Sequence, residues 1–383
     1  MITEQLKTIV DEVGSEMGKL EGKAIIVSGA CGFLGSWFVG IFQYLNQNVF
    51  KEPCVVYAID SFIAADKENY IVDIVDDNIH FILNDISKTH ITSRFDYIIH
   101  AAGIASPIYY RKYPLETIDG MVWGCKNLLE SASCYGVESM LVFSSSEIYG
   151  NPSPHMVPTP ETYNGNVSCT GPRSCYDESK RMEEALCTSY YRVHNTPVKW
   201  VRPFNVYGPG MRIDDDRVVP KFIFAALEKR PITVHIPGLQ TRTFCYITDA
   251  MVGFFKTLLQ GKNGEVYNIG YPRGEMSMVE LAGKVKNLFE GAVEVIEVPM
   301  PPEYPQDQTQ RRCPDLTKAN QQLDYDPKVD IEKGLELMLC WSREVISGKG
   351  RFERINLDSL KRQSTISLPN RLKVAQGSEH KSS

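Results

Sequence analysis

Short, largely apolar runs alternate with longer amphipathic stretches over most of the chain. The runs have the length of strands and lie at 24–28, 55–59, 79–83, 97–100, 140–143 and 198–201. Continuous apolar runs are typical of strands covered on both faces, and their alternation with helical patterns favours a parallel sheet. The pattern therefore predicts an α/β fold, a Rossmann-type doubly wound parallel sheet with helices on both faces.

The pattern also divides the chain into regions. Apolar residues at near-helical spacing over 2–20 predict an amphipathic helix, so residues 1–22 are expected to form an N-terminal helical extension. Residues 23–204 are the predicted dinucleotide-binding domain, to which a segment at about 244–270 returns. Residues 205–243 and 271–347 are the predicted smaller C-terminal lobe, mixed α/β, for the substrate. The tail, 348–383, is polar and basic, and we expect it to be disordered.

A glycine-rich turn follows the first apolar run and precedes an apolar helical pattern. The turn occupies residues 29–35, with glycines at 29, 32 and 35. Strand, glycine turn and helix N-terminus are the parts of a dinucleotide site, because glycine permits a tight turn close to the pyrophosphate. The small residues at 101–103, after another predicted strand, would likewise let backbone lie against a cofactor.

Asp60 ends the second predicted strand. A carboxylate at that position can accept hydrogen bonds from both ribose hydroxyls and would repel the 2′-phosphate of NADP, so it indicates NAD. Its distance from Gly29 is somewhat longer than usual, which a loop at 47–53 accounts for. The alternative is that Asp60 is simply a turn residue after a strand.

Tyr176 and Lys180 are four residues apart in a predicted helix, so their side chains share one face. A nearby ammonium stabilises a phenolate and lowers the pKa of the phenol from about 10. Such a tyrosine can act as a base toward a sugar hydroxyl near neutral pH.

Composition excludes several other classes of protein. The net charge of -6 argues against general affinity for nucleic acid. The ten cysteines include no CxxC pair or metal-ligand cluster, which favours a reducing cytoplasm and no structural metal. We find no signal-peptide pattern and no apolar stretch of membrane-spanning length. A cytoplasmic protein with a small-molecule substrate is expected.

Taken together, these motifs resemble those of the extended short-chain dehydrogenase/reductase superfamily, the NAD-dependent epimerases and dehydratases of nucleotide sugars. The resemblance covers roughly residues 23–345 and is greatest for the UDP-glucuronate decarboxylases, also called UDP-xylose synthases. It rests on Gly-Pro-Arg-Ser-Cys-Tyr-Asp-Glu-Ser-Lys-Arg at 171–181, Asp-Arg-Val-Val-Pro at 216–220, Gln-Thr-Arg at 240–242 and Arg-Cys-Pro-Asp at 312–315, together with Arg-Pro-Phe-Asn at 202–205.

The resemblance implies a reaction and a role for each catalytic residue. Tyr176, assisted by Lys180, would take the proton of the sugar C4 hydroxyl while a hydride moves to NAD, and Ser145 would hold the C4 oxygen. The resulting 4-keto intermediate is a β-keto acid that loses carbon dioxide, after which the hydride returns to the sugar and UDP-xylose is formed. Ser146 and Glu147 would lie beside C5 and C6. Arg312 would reach the substrate carboxylate; the alternative is an exposed basic residue.

The resemblance also implies the binding residues and an oligomeric state. The cofactor would be held by residues of the turn, the strand ends and the catalytic helix, namely Gly29, Gly32, Phe33, Leu34, Gly35, Asp60, Asp85, Ile86, Ala101, Ala102, Gly103, Tyr176 and Lys180. The nucleotide sugar would be held by Tyr110, Asn205, Val218 and Arg242, and Arg111 could join them. A homodimer is implied, with Glu183, Glu184, Leu186 and Tyr190 on or near its surface.

Two alternatives stay open. A glucose 4,6-dehydratase would carry Asp-Glu where this chain has Ser146-Glu147, and a 4-epimerase usually lacks an acid there, but GDP-mannose 4,6-dehydratases also use Ser-Glu. A nucleotide-sugar dehydratase or epimerase is therefore the second reading, and a non-catalytic NAD-binding scaffold is the third. The chain departs from the superfamily pattern at Met121, where an asparagine is usual, and at 237–239, where the glycine-rich turn is altered.

Overall fold

A computed structural model of the protein describes residues 1–64, 71, 73–212, 215–300, 309–348 and 365–366. Its strands are β1 Ala24–Ser28, β2 Val55–Asp60, β3 Ile79–Leu83, β4 His90–Ile91, β5 Tyr97–His100, β6 Ser139–Phe143, β7 Val198–Pro203, β8 Val206–Tyr207, β9 Ile232–His235, β10 Thr241–Arg242, β11 Cys245–Tyr246, β12 Val266–Ile269, β13 Met276–Ser277, β14 Val295–Val298, β15 Arg311–Arg312 and β16 Thr365–Ile366. Its α-helices are α1 Ile2–Val13, α2 Phe33–Asn48, α3 Pro107–Lys112, α4 Pro114–Ile118, α5 Gly124–Tyr135, α6 Ser174–His194, α7 Val218–Leu227, α8 Ile247–Gln260, α9 Met278–Leu288, α10 Thr317–Leu323 and α11 Ile331–Ile346.

Seven strands form one parallel sheet in the order β12-β7-β6-β5-β1-β2-β3. Neighbouring residues of each strand point to opposite faces. Val27 belongs to a core with Phe38 of α2 and Phe254 of α8, whereas Ile26 belongs to a second core with Leu128 of α5. Helices therefore cover both faces of the sheet, and the predicted doubly wound fold is confirmed.

The N-terminal extension is shorter as an α-helix than predicted. α1 ends at Val13, and Gly14–Leu20 continues as a 3-10 helix. Gly14 has φ +70°, a left-handed conformation that ends the α-helix. The apolar face of α1 is buried, and Gln5 Oε1 accepts a hydrogen bond of 3.0 Å from the Tyr246 hydroxyl. The extension is thus packed as part of the protein.

The regions beyond the central sheet contain short strands and helices. β10 pairs with β13 and β15 in a three-stranded sheet, and β9 pairs with β14. These elements lie in the segments predicted for the substrate lobe, and β8 and β11 form a separate parallel pair. In the part of the chain described above, none of the helices is long and apolar enough to cross a membrane.

Most of the tail lies outside the described residues, including 349–364 and 367–383. Thr365–Ile366 form β16, which pairs in parallel with β4, and Ile366 is buried. The expectation of disorder is therefore wrong for these two residues, because Ile366 finds an apolar site against Ile91 and its neighbours. For the rest of the tail it stays a prediction.

Candidate active site

The carboxyl ends of the central strands open into a cavity of about 400 Å³. It is lined by eighteen of the twenty-one predicted site residues: Gly29, Gly32, Phe33, Leu34, Gly35, Asp60, Asp85, Ile86, Ala101, Ala102, Gly103, Tyr110, Ser145, Ser146, Glu147, Tyr176, Lys180 and Asn205. Ligands of open parallel sheets bind at this edge, because the loops that follow the strands converge there. The structure thus brings the predicted cofactor and catalytic residues together in one cleft.

The glycine turn is packed too tightly for larger residues. Gly29 has φ +74°, and a Cβ atom there would lie 2.6 Å from the backbone nitrogen of Ala102. A Cβ atom on Gly35 would lie 2.0 Å from the carbonyl oxygen of Gly29. Both positions require glycine, so the backbone of the turn and the N-terminus of α2 border the cleft directly. Such a cradle fits the pyrophosphate of a dinucleotide.

Asp60 and Asp85 are held by backbone hydrogen bonds. Asp60 accepts N–H bonds of 2.9 Å from Cys31 and 2.8 Å from Phe62; burial raises the pKa of Asp60, and these bonds oppose that effect. Asp85 accepts a 2.9 Å bond from the Ser87 N–H. Burial would raise the pKa of Asp85, but its bonds with Ser87 keep it below the usual value. These bonds hold both carboxylates in the lining of the cleft. Their contacts with NAD stay predictions.

Tyr176 and Lys180 lie beside each other in α6, as predicted. Lys180 Nζ is 6.0 Å from the centre of the Tyr176 ring and donates a 2.6 Å hydrogen bond to the carbonyl oxygen of Phe143. Burial raises the pKa of Tyr176, whereas Lys180 and a hydrogen bond with Ser145 lower it; the net direction is upward. The effect of Lys180 has the expected sign, but the expected net lowering of the Tyr176 pKa is wrong for the protein's own side chains, because desolvation of the phenolate outweighs the ammonium.

Ser145 and Tyr110 border the phenol. Ser145 precedes the 3-10 helix Ser146–Tyr149, and its Oγ accepts a 3.1 Å hydrogen bond from the Glu147 N–H. Tyr110 stacks on Tyr176 with ring centres 5.4 Å apart and an interplanar angle of 23°. Tyr110 is buried, so it forms part of the wall around the base.

Glu147 is held between two arginines. Arg173 and Arg312 both donate hydrogen bonds to its carboxylate, one of them from Arg312 Nη2 at 2.6 Å. Burial by itself would raise the pKa of Glu147, but the two guanidinium groups hold it at about 2. Arg312 belongs to β15, outside the central sheet, and also donates a 2.9 Å bond to Thr309 Oγ1. Arg312 does not line the cavity itself but binds Glu147, which does, and its predicted contact with a substrate carboxylate stays a prediction.

Two predicted substrate residues do not line the cavity. Arg242 donates hydrogen bonds to the carbonyl oxygens of Thr309, at 2.7 Å, and Thr241, at 2.8 Å. Val218 begins α7 and is half-buried beside the cleft. Arg111 is exposed and donates to the carbonyl oxygen of Pro107 in its own helix, so it does not join the lining either.

Three arginines that the sequence reasoning did not assign line the cavity: Arg173, Arg212 and Arg217. The Arg217 guanidinium binds Asp215 at 2.9 Å and lies 5.7 Å from the centre of the Phe33 ring. Arg212 lies 5.0 Å from the Tyr109 ring centre. Arg173 and Arg217 belong to two of the motifs that carry the resemblance, at 171–181 and 216–220, and this membership could have indicated that they lie at the site.

Two residues predicted near a dimer surface face inward instead. Glu183 is fully buried. Glu184 forms an ion pair with Arg202 at 2.6 Å. Leu186 and Tyr190 are half-buried. The placement of the two acids at a surface is wrong, since each is bound to a buried cation.

Comparison with known proteins gives consistent matches over most of the chain. The model of the NAD dependent epimerase/dehydratase family matches residues 25–270. The chain is 41% identical to a UDP-glucuronic acid decarboxylase of Arabidopsis thaliana over 314 residues, which is 82% of this chain and 87% of the relative. Its structure is similar to UDP-glucose 4-epimerase of Thermotoga maritima with UDP-glucose (TM-score 0.73, 25% identity, 84% and 99% of the two chains). It has the fold of dTDP-glucose 4,6-dehydratase of Streptomyces venezuelae, whose structure contains NAD (TM-score 0.73, 23% identity, 85% and 98% covered).

Proposed function

The chain belongs to the NAD dependent epimerase/dehydratase family, and we propose that it is an enzyme that decarboxylates UDP-glucuronate to UDP-xylose. The observation that carries the proposal is Glu147 between Arg173 and Arg312, in the cleft that also holds Tyr176, Lys180 and Ser145. Relatives that are 36–41% identical are named UDP-glucuronic acid decarboxylases. Two arginines beside an acid/base pair suit a substrate whose carboxylate is carried by the carbon adjacent to the one that is oxidised.

The residues of the cleft would divide the acid/base work as follows. Tyr176 takes the proton of the C4 hydroxyl, Ser145 holds the same oxygen, and Lys180 keeps a positive charge beside the phenol. The residues of the glycine turn would hold NAD, which would supply reversible hydride transfer at C4. The 4-keto sugar then loses its carboxylate as carbon dioxide, because the neighbouring carbonyl accepts the electron pair of the broken bond. C5 of the sugar must next receive a proton.

Glu147 is the group we assign to that proton. With both arginines bound, its pKa of about 2 keeps it ionised and unable to donate. A substrate carboxylate has the same charge and shape as the Glu147 carboxylate, so it would compete for Arg312. Loss of one guanidinium raises the pKa of Glu147 and allows it to take up and deliver a proton. Arg312 thereby links recognition of the substrate to the acid/base state of Glu147.

Arg212 and Arg217, with Asn205, are the groups we propose for the nucleotide diphosphate. Both arginines line the same cleft as the glycine turn, and Arg217 is oriented by Asp215. Guanidinium groups bind phosphate oxygens through paired hydrogen bonds. In this proposal, residues 23–204 hold the dinucleotide, and the segments 205–243 and 271–347 hold the nucleotide sugar.

Incubation of the purified protein with UDP-glucuronate tests the activity. We expect carbon dioxide release, a product lighter by about 44 mass units, and no net consumption of NAD. Loss of about 18 mass units would identify a dehydratase, and an isomer of unchanged mass an epimerase. UDP-glucose and GDP-mannose serve as comparison substrates. Unchanged UDP-glucuronate after long incubation would reject the decarboxylase.

We further propose a homodimer formed by the exposed side of α5, α6 and the turn before α5. Three large apolar residues are exposed on this side: Trp123 at 52%, Met182 at 49% and Val193 at 73% of their surface. Apolar side chains gathered on adjacent elements favour association with a partner. Sedimentation velocity of the wild type and of Met182→Glu checks the proposal: a dimer that the substitution dissociates is expected, and a monomeric wild type would contradict it.

The cytoplasmic location also stays a proposal. It is supported by the ten cysteines, all of which are free thiols in the structure. Fractionation of cells that express the tagged protein would test it.

A further inference from the structure

A buried group of charged and polar side chains contacts Lys180, and the roles assigned above do not use it. Glu183 lies three residues after Lys180 in α6 and has no exposed surface. Its Oε2 is 2.8 Å from Lys180 Nζ, and its Oε1 is 3.4 Å from Nε2 of His100. A fully buried carboxylate is costly unless cations or hydrogen-bond donors compensate it. Its position therefore needs a physical reason.

His100 and Ser28 hold the other side of Glu183. His100 ends β5 and is buried, and its Nδ1 lies 2.8 Å from Oγ of Ser28, at the end of β1. Nε2 of the ring faces the Glu183 carboxylate and Nδ1 faces the Ser28 hydroxyl, so both ring nitrogens lie beside polar groups. Two neighbouring strands of the rigid sheet thus hold the imidazole, which lies against the Glu183 carboxylate. We call Ser28, His100, Glu183 and Lys180 the buried relay.

The surroundings of Lys180 supply little else to balance its charge. In the described part of the chain, its Nζ binds the carbonyl oxygen of Phe143 and the carboxylate of Glu183. Met121, which has no polar atom to offer, is fully buried; a Cβ atom on Gly103 would lie between Met121 Cε at 2.8 Å and Lys180 Nζ at 3.4 Å.

The remaining titratable groups near the buried relay are Tyr176 and two thiols. Cys125 of α5 and Cys187 of α6 are both buried and interact electrostatically with Lys180 and Glu183 respectively. Burial raises the pKa of the Cys187 thiol. Burial lowers the pKa of Lys180, whereas Glu183 first, then Tyr176 and Cys125, raise it, so the net direction of the pKa is upward. Without that carboxylate, desolvation of the ammonium would dominate.

We propose that Glu183, which lies against His100, is a positioning residue that keeps Lys180 charged and in place beside Tyr176 over the working pH range of the enzyme. The inference rests on the proposed function in one respect, which is that Tyr176 and Lys180 are its acid/base pair. A residue that only filled space at this position would not affect the protonation of Lys180.

Glu183→Gln tests the inference, because it removes the charge and keeps the size of the side chain. Glu178→Gln is the matched control: Glu178 lies five residues earlier on the same helix, in a partly exposed pair with Arg181 at 3.6 Å. Thermal unfolding is first compared at pH 7 and pH 9.5, a measurement that needs no substrate. We expect Glu183→Gln to lower Tm more at pH 7 than at pH 9.5, and Glu178→Gln to have a small effect at both.

The sign follows from linkage. In the wild type the pKa of Lys180 is raised by folding, so its contribution to stability is fully present below the unfolded value of 10.5. In Glu183→Gln the folded pKa falls below the unfolded one, and the unfolded chain then binds more protons. Stability of the variant consequently rises with pH toward 10.5, and its Tm approaches that of the wild type. An equal difference at both pH values would overturn the charge pairing.

The pH profile of decarboxylation then separates positioning from a purely structural role. We expect the alkaline limb of kcat to move to lower pH by at least about one unit in Glu183→Gln, since a buried lysine without a counter-ion loses its proton more readily. Glu183→Asp keeps the charge and should restore most of the shift; it also replaces the Gln variant if that one does not fold. If the Tm difference between wild type and Glu183→Gln narrows at pH 9.5 but the pH profile of kcat is unchanged, Glu183 does not position Lys180 for catalysis. If wild-type protein leaves UDP-glucuronate intact, the proposed function fails, while the unfolding experiment still decides whether Glu183 holds Lys180 charged.

Discussion

Replacing Glu147 by Gln should weaken the protein in a pH-dependent way. The carboxylate binds two guanidinium groups and its side chain is 20% exposed. A pKa of about 2, against an ordinary value of 4.5, corresponds to about 3 kcal/mol of stabilisation of the folded protein at neutral pH, since each pKa unit is worth about 1.4 kcal/mol. This is the largest stabilisation that the substitution could remove through the charge of Glu147 alone.

A second carboxylate offsets part of the loss. Burial raises the pKa of Asp177 to about 7, and Arg173 and the negative charge of Glu147 act on it in opposite directions. Without Glu147, Asp177 ionises more readily beside Arg173, whose Nε lies 3.5 Å away. We therefore expect Glu147→Gln to lower the free energy of unfolding by about 2 kcal/mol at pH 7.

Urea unfolding followed by circular dichroism measures this difference. Because folding depresses the pKa of Glu147, its contribution is present above about pH 4.5 and is lost as the pH falls toward 2. The difference between wild type and variant should shrink between pH 5 and about pH 3, and Glu178→Gln should show no such trend. Decarboxylation should fall by at least about 100-fold, because the proton donor to C5 is gone. A decrease in the free energy of unfolding below about 1 kcal/mol at pH 7 would refute the reasoning, and so would a decrease that is equal at pH 5 and at about pH 3.

Three further predictions concern other parts of the molecule. Tyr176→Phe should lower kcat by about 10²–10⁴-fold while its stacking on Tyr110 keeps the protein folded, as product analysis and circular dichroism would show; near-normal turnover would remove Tyr176 from the mechanism. Gly35→Ala should abolish NAD binding in calorimetry or prevent folding, because the new Cβ would lie 2.0 Å from the Gly29 carbonyl oxygen, whereas Gly283→Ala in α9, with open space around it, should bind NAD normally. Burial, helped by Lys19, lowers the pKa of Lys199 to about 8, so wild-type stability should rise by up to about 3 kcal/mol from about pH 8 toward 10.5 as the unfolded chain binds the extra proton. Lys199→Met should lack that rise in urea unfolding, and a parallel pH dependence in both proteins would contradict it.

Much of the fold could be predicted from local patterns. The apolar run at 24–28 is β1 residue for residue, and the run at 55–59 extends by one residue to Asp60. Such runs are readily recognised because a strand covered on both faces is largely apolar. The break of the first helix at Gly14 was missed, since apolar spacing continues across it and only the left-handed backbone of that glycine ends the α-helix.

The site could be predicted where its residues follow strands or fall in compact motifs. Tyr176, Lys180 and Ser145 were found because their spacing or position after a strand carries the chemistry. Arg212 was missed, because a single arginine in an irregular segment looks the same whether it borders a cleft or faces solvent. The pKa of Tyr176 was predicted in the wrong direction, because spacing shows the lysine but not the depth at which the phenol is buried.

The sequence alone determined the order of the main strands and helices of the central sheet, the glycine turn at the first strand and the shared helical face of Tyr176 and Lys180. These depend on periodicity and on residues close together in the chain, and such information is local. Only the tertiary structure decided which charges are paired. Arg312 reaches Glu147 across 165 positions, and Glu183 lies between a lysine of its own helix and a histidine of the sheet. Burial and the distances between remote side chains control the strength of those interactions, and both arise only when the chain has folded.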